Sequence, residues 1–411
     1  MDHQASGDTV VIVGAGQAGG EVATSLRQNQ FRGRILLIGD EPHLPYRRPP
    51  LSKTFLSGEA TSESLLIRNA ETYAKQDIEF LGEARVRRID RPEKTIELED
   101  GQVIGYSKLV LATGGRPRRL SLPGAEKTNV HYVRTIADVE ALREDFLPGR
   151  RLAVIGGGYI GLETAAVGIK KGLKVTVLEA LPRVLARVAA PELSAFYARA
   201  HRSRGVDVRT GVKIQALLGA GRVEEILFED GTRMEADLVI AGIGLIPNAE
   251  LAASAGLRVE NGIVVDAHSR TSDPDILAAG DVAQHENAFL GRSMRLESVP
   301  SAQEQARTAA LTICGKPVPH AAVPWFWSDQ YDLKLQMVGL SEGYDRFVTR
   351  GDISSDSFSA FYLRNDTVIC AECVNRPQDF AMAKKLVAAR AAVLSAALAD
   401  ESLPLKNLIP A

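Results

Sequence analysis

The chain opens with an unbroken apolar run at residues 9–13, followed by a glycine-rich turn at residues 14–19. Residues 21–28 then have a helical pattern, and a second apolar run at residues 34–40 ends in an acid. Strands that are apolar throughout are typical of parallel sheets that carry helices on both faces. The pattern therefore predicts a β–α–β unit.

The same unit returns much later in the chain. An apolar run at residues 151–155 leads into glycines at 156–161, a helix and a strand at 174–179. Gly14, Gly16 and Gly19 align with Gly156, Gly158 and Gly161, and Glu21 aligns with Glu163. The two copies are 142 residues apart, from Gly14 to Gly156. This is much longer than a solenoid repeat and predicts two whole domains of one kind.

Residues 45–53 are proline-rich and basic, which predicts a loop. Three further apolar runs end on glycine turns, at residues 108–115, 238–244 and 276–281. From residue 324 the pattern changes to alternating strands, such as 358–363 and 368–374, and then to a helix at about 379–398. We expect an α/β protein with two Rossmann-like dinucleotide-binding domains and a C-terminal α+β domain. The expected domains are residues 1–115 with 246–325, residues 116–245, and residues 326–411.

Each glycine turn has the spacing G-x-G-x-x-G, and each is followed by an acid at the distance that a dinucleotide-binding fingerprint requires. The acid is Asp40 after the first turn and Glu179 after the second. The glycines let the backbone approach a pyrophosphate, the helix N-terminus offers N–H groups, and the acid accepts ribose hydroxyls. One such turn is weak evidence, but two complete copies predict two bound dinucleotides.

An acid at the ribose position repels the 2′-phosphate of NADP, so Glu179 predicts a preference for NADH. Arg183 and Arg187 lie just beyond it and moderate that preference.

Composition narrows the class further. The chain has 411 residues, of which 45% are hydrophobic, with a formal net charge of −2. These values argue against a disordered chain and against a nucleic-acid binder. The sequence has no apolar run long enough to span a bilayer, and its first residues do not resemble a signal peptide. We predict a cytoplasmic protein that binds neither membranes nor nucleic acid.

The motifs now identify a family. The chain resembles the FAD-dependent, NADH-linked ferredoxin reductases of bacterial oxygenase systems, whose fold is glutathione-reductase-like, from about residue 10 to residue 404. The resemblance rests on both glycine turns and on these motifs: residues 48–53, 112–117, 241–248, 280–281, 297–300, 324–331 and 338–345. Arg47 departs from the residue that relatives often carry before Arg48-Pro49-Pro50.

The resemblance implies roles for individual residues. The expected FAD-binding residues are Gly14, Gly16, Ala18, Gly19, Asp40, Arg48, Lys53, Val86, Thr113, Gly114, Arg134, Gly280, Asp281, Val299 and Trp327. The expected NAD-binding residues are Gly156, Gly158, Tyr159, Ile160, Gly161, Glu163, Glu179 and Gly244. Asp281 would contact the ribityl chain, although a turn or cap role is open. The helix that starts near Val299 would point at the flavin, and Trp327 would lie near the flavin or pack in the last domain.

Lys53 and Glu163 are the predicted catalytic pair. We expect them to approach each other beside the flavin, where the lysine would stabilise negative charge and the carboxylate would orient the nicotinamide. The alternative is a surface lysine and an unrelated glutamate on a helix face.

Cysteine positions exclude several related chemistries. The three cysteines are Cys314, Cys370 and Cys373, so no thiol follows the first β–α–β unit, where disulfide reductases and NADH peroxidases need one. Cys370 and Cys373 lie three apart in a predicted strand, which puts the sulfurs on opposite faces, so we expect buried structural thiols. Three cysteines also cannot hold an iron–sulfur cluster by themselves.

The resemblance implies a two-iron, two-sulfur ferredoxin as the electron acceptor, serving a haem-thiolate monooxygenase. The alternatives are a rubredoxin or dioxygenase ferredoxin as acceptor, or a redox-sensing flavoprotein of the apoptosis-inducing-factor type. We expect a monomer or weak dimer, and a partner that docks through a small basic patch containing Arg292, Arg295 and Arg307.

Overall fold

Two five-stranded parallel sheets organise the chain. The computed structural model describes residues 7–410. The chain divides into two compact units. The first contains the described residues up to Arg47, Glu63–Arg116 and Ile246–Pro324, and the second contains Arg48–Ser62, Pro117–Leu245 and the chain from Trp325 onward.

The parallel sheet of the first unit has the order β20-β7-β1-β2-β3. Its strands are β1 (Thr9–Val13), β2 (Arg34–Ile38), β3 (Ile78–Leu81), β7 (Lys108–Leu111) and β20 (Ile276–Ala278). Helices α1 (Gln17–Gln28) and α8 (Val299–Ile313) pack against one face of this sheet. On that face, Val10 and Ile12 of β1 share a core cluster with Ala302 and Ala306 of α8. Val11 belongs to a second cluster on the other face, as expected for a strand that is apolar on both sides.

The first unit also contains two smaller sheets. The antiparallel one is β4 (Val86–Asp90), β5 (Thr95–Leu98) and β6 (Val103–Gly105), and the mixed one is β18 (Val259–Glu260), β19 (Gly262–Val265), β21 (Ala283–Asn287) and β22 (Arg292–Met294). Its other helices are α3 (Ala70–Lys75) and α7 (Glu250–Ser254). Three elements lie where the chain passes between units: α2 (Ser62–Leu65), β8 (Gly115–Pro117) and β17 (Leu245–Pro247).

The parallel sheet of the second unit has the order β9-β16-β10-β11-β12. Its last four strands correspond to β7-β1-β2-β3 of the first sheet, but the edge strand β9 comes first in the chain, whereas β20 comes last. Its strands are β9 (Val130–His131), β10 (Arg151–Ile155), β11 (Lys174–Glu179), β12 (Asp207–Thr210) and β16 (Leu238–Ala241). Its helices are α4 (Ile136–Asp145), α5 (Tyr159–Lys170) and α6 (Pro191–Ser203), and an antiparallel sheet joins β13 (Ile214–Leu218), β14 (Glu225–Phe228) and β15 (Arg233–Glu235). Both predicted β–α–β units are therefore present.

The last part of the second unit is an antiparallel sheet with the order β23-β24-β27-β26-β25. Its strands are β23 (Trp325–Gln330), β24 (Leu333–Gly339), β25 (Arg346–Arg350), β26 (Phe358–Arg364) and β27 (Thr367–Val374). Helix α9 (Pro377–Ala388) packs on β24 and β27, and α10 (Ser395–Ala399) packs on β25.

Two predictions about local structure were wrong. The expected helix at residues 379–398 is interrupted, because Arg390 has a φ of 46° and Val393 donates its N–H to the carbonyl of Asp366. Residues after α9 thus pair with the sheet instead of continuing a helix. The expected loop at residues 45–53 contains a short 3₁₀ helix, Pro49–Ser52, since proline is favourable at the first helical position.

Candidate functional site: two nucleotide loops and a buried ion pair

The first glycine-rich loop connects β1 to α1, and its three glycines have three different surroundings. A Cβ atom on Gly14 would lie 2.2 Å from the carbonyl oxygen of Ala112, and one on Gly19 would lie 1.9 Å from that of Gly14. A Cβ on Gly16 would meet no protein atom within 4 Å. Gly14 and Gly19 are therefore required by packing, whereas Gly16 leaves open space beside the backbone.

The second loop, between β10 and α5, repeats this arrangement. A Cβ on Gly156 would lie 2.4 Å from the carbonyl oxygen of Gly242, and one on Gly161 would lie 2.0 Å from that of Gly156. Gly158 has open space, and no side chain caps the N-terminus of α5. Open space beside uncapped N–H groups fits a pyrophosphate. Both loops thus fit the dinucleotides predicted for them.

The two acids that follow the loops have different surroundings. In the second unit, Glu179 accepts hydrogen bonds from the N–H groups of Gly157, at 2.7 Å, and of Leu181, at 2.8 Å. Its carboxylate is thereby fixed beside the glycine loop. Asp40 lies two residues past β2 and is exposed. Neither ribose contact is tested by the structure, and both remain predictions.

Further residues of the predicted FAD site lie at the same sheet edge in the first unit. Gly14, Asp40, Thr113 and Gly280 all follow the carboxyl ends of parallel strands, which lie side by side. Ligands bind at this edge of open parallel sheets. A Cβ on Gly280 would lie 2.8 Å from Cβ of Ala18, so the Gly280-Asp281 turn lies against the first loop.

Several contacts support this edge of the first unit. The N–H of Gly280 donates to Oε1 of Gln305 on α8, at 2.9 Å, and the hydroxyl of Thr113 donates to the carbonyl of Asn248, at 2.7 Å. Val299 is the first residue of α8, as the prediction of a helix start requires. The FAD contacts assigned to Val86, Thr113, Gly114, Asp281 and Val299 stay predictions.

The remaining residues of the predicted sites lie in the second unit. Arg48 donates to the carbonyl of Arg134 at 2.5 Å, so these two residues are neighbours. Trp327 is half-buried on β23, and its ring lies 5.7 Å from that of Trp325. The FAD contacts assigned to these residues are not tested, and both interpretations of Trp327 remain open.

The predicted NAD residues outside the glycines differ in exposure. Ile160 is 44% exposed, and a Cβ on Gly244 would meet no protein atom within 4 Å. The ring of Tyr159 instead packs 5.1 Å from that of Phe326, and its hydroxyl contacts Sδ of Met337. The side chain of Tyr159 thus packs against β23 and β24, and its predicted NAD contact stays a prediction.

A buried ion pair joins the two predicted catalytic residues. Nζ of Lys53 lies 2.7 Å from Oε2 of Glu163, whose side chain is 2% exposed. This confirms that the two residues approach each other, and it excludes the alternative of an unrelated surface lysine. Their position beside a flavin stays a prediction.

Two serines that the sequence analysis missed complete the surroundings of Glu163. The hydroxyl of Ser52 donates to Oε2 at 2.6 Å, and that of Ser328 donates to Oε1 at 2.7 Å. Ser52 could have been suspected, since it precedes Lys53. Ser328 is 165 residues from Glu163 in the chain, and no local pattern marks it.

The cysteines have the surroundings predicted for structural thiols. Cys370 is 1% exposed and Cys373 is 0% exposed, and no disulfide joins them. Cys370 belongs to a cluster with Tyr362, whereas Cys373 lies near Ser359 and Asp379. Burial raises the pKa of both thiols, that of Cys373 to about 12, so neither forms a thiolate readily.

Two of the three arginines in the predicted docking patch, Arg295 and Arg307, have carboxylate partners, and docking itself stays a prediction. The side chain of Arg295 is 9% exposed and pairs with Glu297 at 2.7 Å. Arg307 is half-exposed, but its guanidinium lies 2.9 Å from carboxylate oxygens of both Glu21 and Glu304. These arginines are neutralised within the first unit and offer little free positive charge to a partner.

Comparison with known proteins decides the family. Residues 8–306 match the family described as pyridine nucleotide-disulphide oxidoreductase, and residues 325–409 match the family described as reductase C-terminal. The chain belongs to the pyridine nucleotide-disulphide oxidoreductase family. It is an oxidoreductase whose cofactors are FAD and NADH, and the predicted fold class is confirmed.

Named relatives place the chain more narrowly. It is 50% identical to putidaredoxin reductase of Pseudomonas putida, over 98% of this chain and 97% of that protein. The structure of a covalent putidaredoxin reductase–putidaredoxin complex matches with a TM-score of 0.96 and 49% identity, covering 98% and 99% of the two chains. The ferredoxin reductase of the CYP199A2 system from Rhodopseudomonas palustris matches with a TM-score of 0.95 and 44% identity, covering 98% and 100%. The predicted resemblance to ferredoxin reductases is confirmed.

Hydropathy adds one finding. Within residues 7–410, none of the helices combines the length and the apolar character that crossing a membrane requires.

Proposed function

We propose that this chain is an NADH-dependent ferredoxin reductase that supplies single electrons to a two-iron, two-sulfur ferredoxin, which in turn serves a haem-thiolate monooxygenase. The observation that carries the proposal is the repeated loop, which leaves open space at Gly16 and again at Gly158. Two dinucleotide sites in one chain suit transfer of a hydride from a nicotinamide to a flavin.

Each loop has a separate task in this proposal. The N–H groups that begin α1 would hold the FAD pyrophosphate, and those that begin α5 would hold that of NADH. When bound, FAD accepts a hydride from NADH and releases the electrons singly. Glu179 would accept ribose hydroxyls and repel a 2′-phosphate, which favours NADH.

The Lys53–Glu163 pair would act at the reacting end of the nicotinamide. Glu163 lies two residues past Gly161 on α5, within one turn of the loop proposed to bind NADH. Its carboxylate would orient the nicotinamide amide, while the ammonium of Lys53 would stabilise negative charge that develops nearby. Because the carboxylate is buried and bonded by two serines, its geometry is set before NADH binds.

The acceptor is inferred from the cysteines and the relatives. The chain has no cysteine before Cys314, and Cys370 and Cys373 are buried, so no thiol relay receives the electrons. An external one-electron acceptor fits this arrangement. Relatives at 50% and 44% identity are a putidaredoxin reductase and a ferredoxin reductase of a CYP199A2 system. The cytoplasmic location and the monomer or weak dimer stay predictions.

Steady-state turnover tests the proposal. The purified chain, loaded with FAD, is mixed with NADH and a two-iron, two-sulfur ferredoxin, and ferredoxin reduction is followed by absorbance. We expect rapid reduction with NADH, slow reduction with NADPH, and slow reduction of a rubredoxin. Rubredoxin reduced as fast as ferredoxin would favour the other-acceptor alternative, and slow flavin reduction with every acceptor would favour a redox sensor.

A further inference from the structure

We propose that a row of hydrogen bonds from Tyr331 through His201, Gln330 and Ser328 positions the carboxylate of Glu163 for reaction with NADH. The inference deepens the proposed function and rests on it. It assigns these four residues to positioning and not to catalysis, because they act on the reaction only through Glu163.

The row is continuous and lies entirely within the second unit. Ser328 Oγ lies 2.7 Å from Oε1 of Glu163, and Nε2 of Gln330 lies 3.2 Å from Ser328 Oγ. Oε1 of Gln330 lies 2.8 Å from Nε2 of His201, and the hydroxyl of Tyr331 lies 3.0 Å from Nδ1 of His201. Each distance is that of a hydrogen bond.

The elements explain how residues so far apart in sequence meet. Ser328 and Gln330 are two positions apart on β23, so their side chains share one face of the sheet. Glu163 lies on α5 and His201 near the end of α6. Tyr331 begins the turn after β23, with a φ of 58°.

Donor and acceptor rules fix the direction of every bond. A carboxylate only accepts, so Ser328 must donate its proton to Glu163 and accept from the amide NH₂ of Gln330. The amide oxygen of Gln330 then faces His201, which must carry its proton on Nε2. Nδ1 of His201 is therefore the acceptor for the Tyr331 hydroxyl. All four donors point toward Glu163.

Burial strengthens such a row. Ser328, Gln330 and His201 are each 0% exposed, and hydrogen bonds in a dry interior polarise one another. Burial also lowers the pKa of His201 to about 4, so the ring is neutral at neutral pH, as the bonding pattern requires.

Several charged and titratable groups lie close to the row, among them Arg204, which pairs with Asp332 at 2.7 Å. The guanidinium of Arg204 lies 4.7 Å from the ring centre of Tyr331 and disfavours a second cation on His201. Tyr159 and Tyr197 also interact with Glu163, and burial raises the pKa of both phenols, so they stay neutral.

The row holds the carboxylate of Glu163 in place and does not relay protons. An amide does not exchange protons readily, so Gln330 interrupts any relay while still transmitting polarisation. Oε2 of Glu163 is bonded to Lys53 and Ser52, whereas Oε1 is bonded to Ser328. The row thus holds the carboxylate plane from the side opposite the lysine.

The first test reads the histidine tautomer and needs no turnover. The holoenzyme is labelled with ¹⁵N-histidine, and His201→Gln assigns the signal. We expect a neutral ring with the proton on Nε2 between pH 6 and 8 (roughly the range that brackets an ordinary histidine). A charged ring in that range, or a proton on Nδ1 of a neutral ring, would overturn the proposal, because the row could then not run toward Glu163.

The second test separates positioning from binding. In Ser328→Ala, anaerobic stopped-flow reduction of the flavin by NADH should slow about tenfold, the effect of losing one charge-assisted bond. The Kd of NADH should stay within about twofold, and Ser328→Thr, which keeps the hydroxyl, should recover most of the rate. Gln330→Met should slow reduction in the same way.

Ser359→Ala is the matched control. Ser359 is also 0% exposed in the second unit, and it donates to a carboxylate, that of Asp379, at 2.9 Å. Its loss should lower stability without slowing flavin reduction. Normal rates in both Ser328→Ala and Gln330→Met would refute the proposal, whereas a wild type whose flavin NADH does not reduce would refute the proposed function itself.

Discussion

The two glycine-rich loops share one backbone design, but the glutamate two residues past the third glycine has different partners in each unit. Glu21 in the first unit lies 2.9 Å from Nε of Arg307, which ties α1 to α8. Glu163 in the second unit lies 2.7 Å from Lys53 and accepts bonds from two serines. The repeated backbone fits dinucleotide binding, whereas the side chains after it have different partners. We propose that Glu21 stabilises the fold and that Glu163 takes part in the chemistry.

The acids after the loops differ in a similar way. Glu179 is fixed by two backbone N–H groups, and Asp40 is exposed. The same motif can serve a cofactor that stays bound and a substrate that must enter and leave. What can differ is how firmly the acid after the motif is held. Under the proposed function, the second unit would supply a preformed ribose acceptor to a ligand that binds at every turnover.

The largest effects should come from the central glycine of each loop. Gly16→Val should fold, because its new side chain meets no protein atom within 4 Å and its φ is −90°, yet the protein should lose FAD. Gly158→Val should keep FAD and lose reduction by NADH. Absorbance of the flavin band and circular dichroism measure both.

A third variant controls for folding. In Gly19→Val the new Cβ would lie 1.9 Å from the carbonyl oxygen of Gly14, so this protein should misfold. A folded Gly16→Val protein with full flavin content would contradict the assignment of the first loop.

The two glutamates at equivalent positions after the loops, Glu21 and Glu163, provide the next test. Glu163→Gln removes the charge that balances Lys53, and flavin reduction by NADH should slow about ten- to a hundredfold. Glu21→Gln should leave that rate unchanged and cost at most about 1 kcal/mol of stability, since Arg307 is half-exposed. Stopped-flow reduction and chemical denaturation distinguish them, and equal rate losses would show that the two positions do not differ in function.

The acids after the loops should give smaller, separable effects. Glu179→Ala should weaken the binding of NADH about ten- to a hundredfold, because it removes the proposed ribose acceptor and leaves the N–H groups of Gly157 and Leu181 without their partner. The binding of NADPH should weaken less. Asp40→Ala should leave the Kd of NADH unchanged. Titration calorimetry checks this, and a wild type that binds both coenzymes equally would contradict the assigned role of Glu179.

The smallest effect on function should come from a buried acid of the second unit. Burial raises the pKa of Glu372 to about 7, although Tyr362 donates to it. The folded state then holds a proton that the unfolded state releases, so this stability is full below about pH 4.5 and is lost as pH rises through about 7. Glu372→Gln should remove that loss, on the order of 1–3 kcal/mol at pH 8, without changing flavin reduction.

Denaturation curves at several pH values measure this effect, with Glu229→Gln at an exposed position of the second unit as control. The first unit should respond in the opposite direction. Burial lowers the pKa of His285 and His320 to about 4, so their contribution is present above about pH 6.5 and falls as the solution becomes more acidic. An identical pH dependence in Glu372→Gln and wild type would contradict the account of Glu372.

Local pattern was sufficient for some of these features and not for others. The two loops could be predicted because their glycine spacing follows from backbone geometry within a few residues. Lys53 and Glu163 are distant in the sequence, and only the family resemblance brought them together. Ser328 and His201 had no such signal, because their roles depend on how β23 and α6 pack. The helix break at Arg390 was missed since the competing partner, Asp366, lies in a distant part of the sequence.

One anaerobic experiment tests the central claim, that a hydride enters at the second loop and electrons leave singly. Limiting NADH is added to the FAD-loaded chain with excess two-iron, two-sulfur ferredoxin, and the reduced ferredoxin formed is counted. The account predicts two reduced ferredoxins for each NADH oxidised, with flavin reduction preceding ferredoxin reduction. NADH oxidation that leaves ferredoxin oxidised, or ferredoxin reduction without a change in the flavin spectrum, would contradict it.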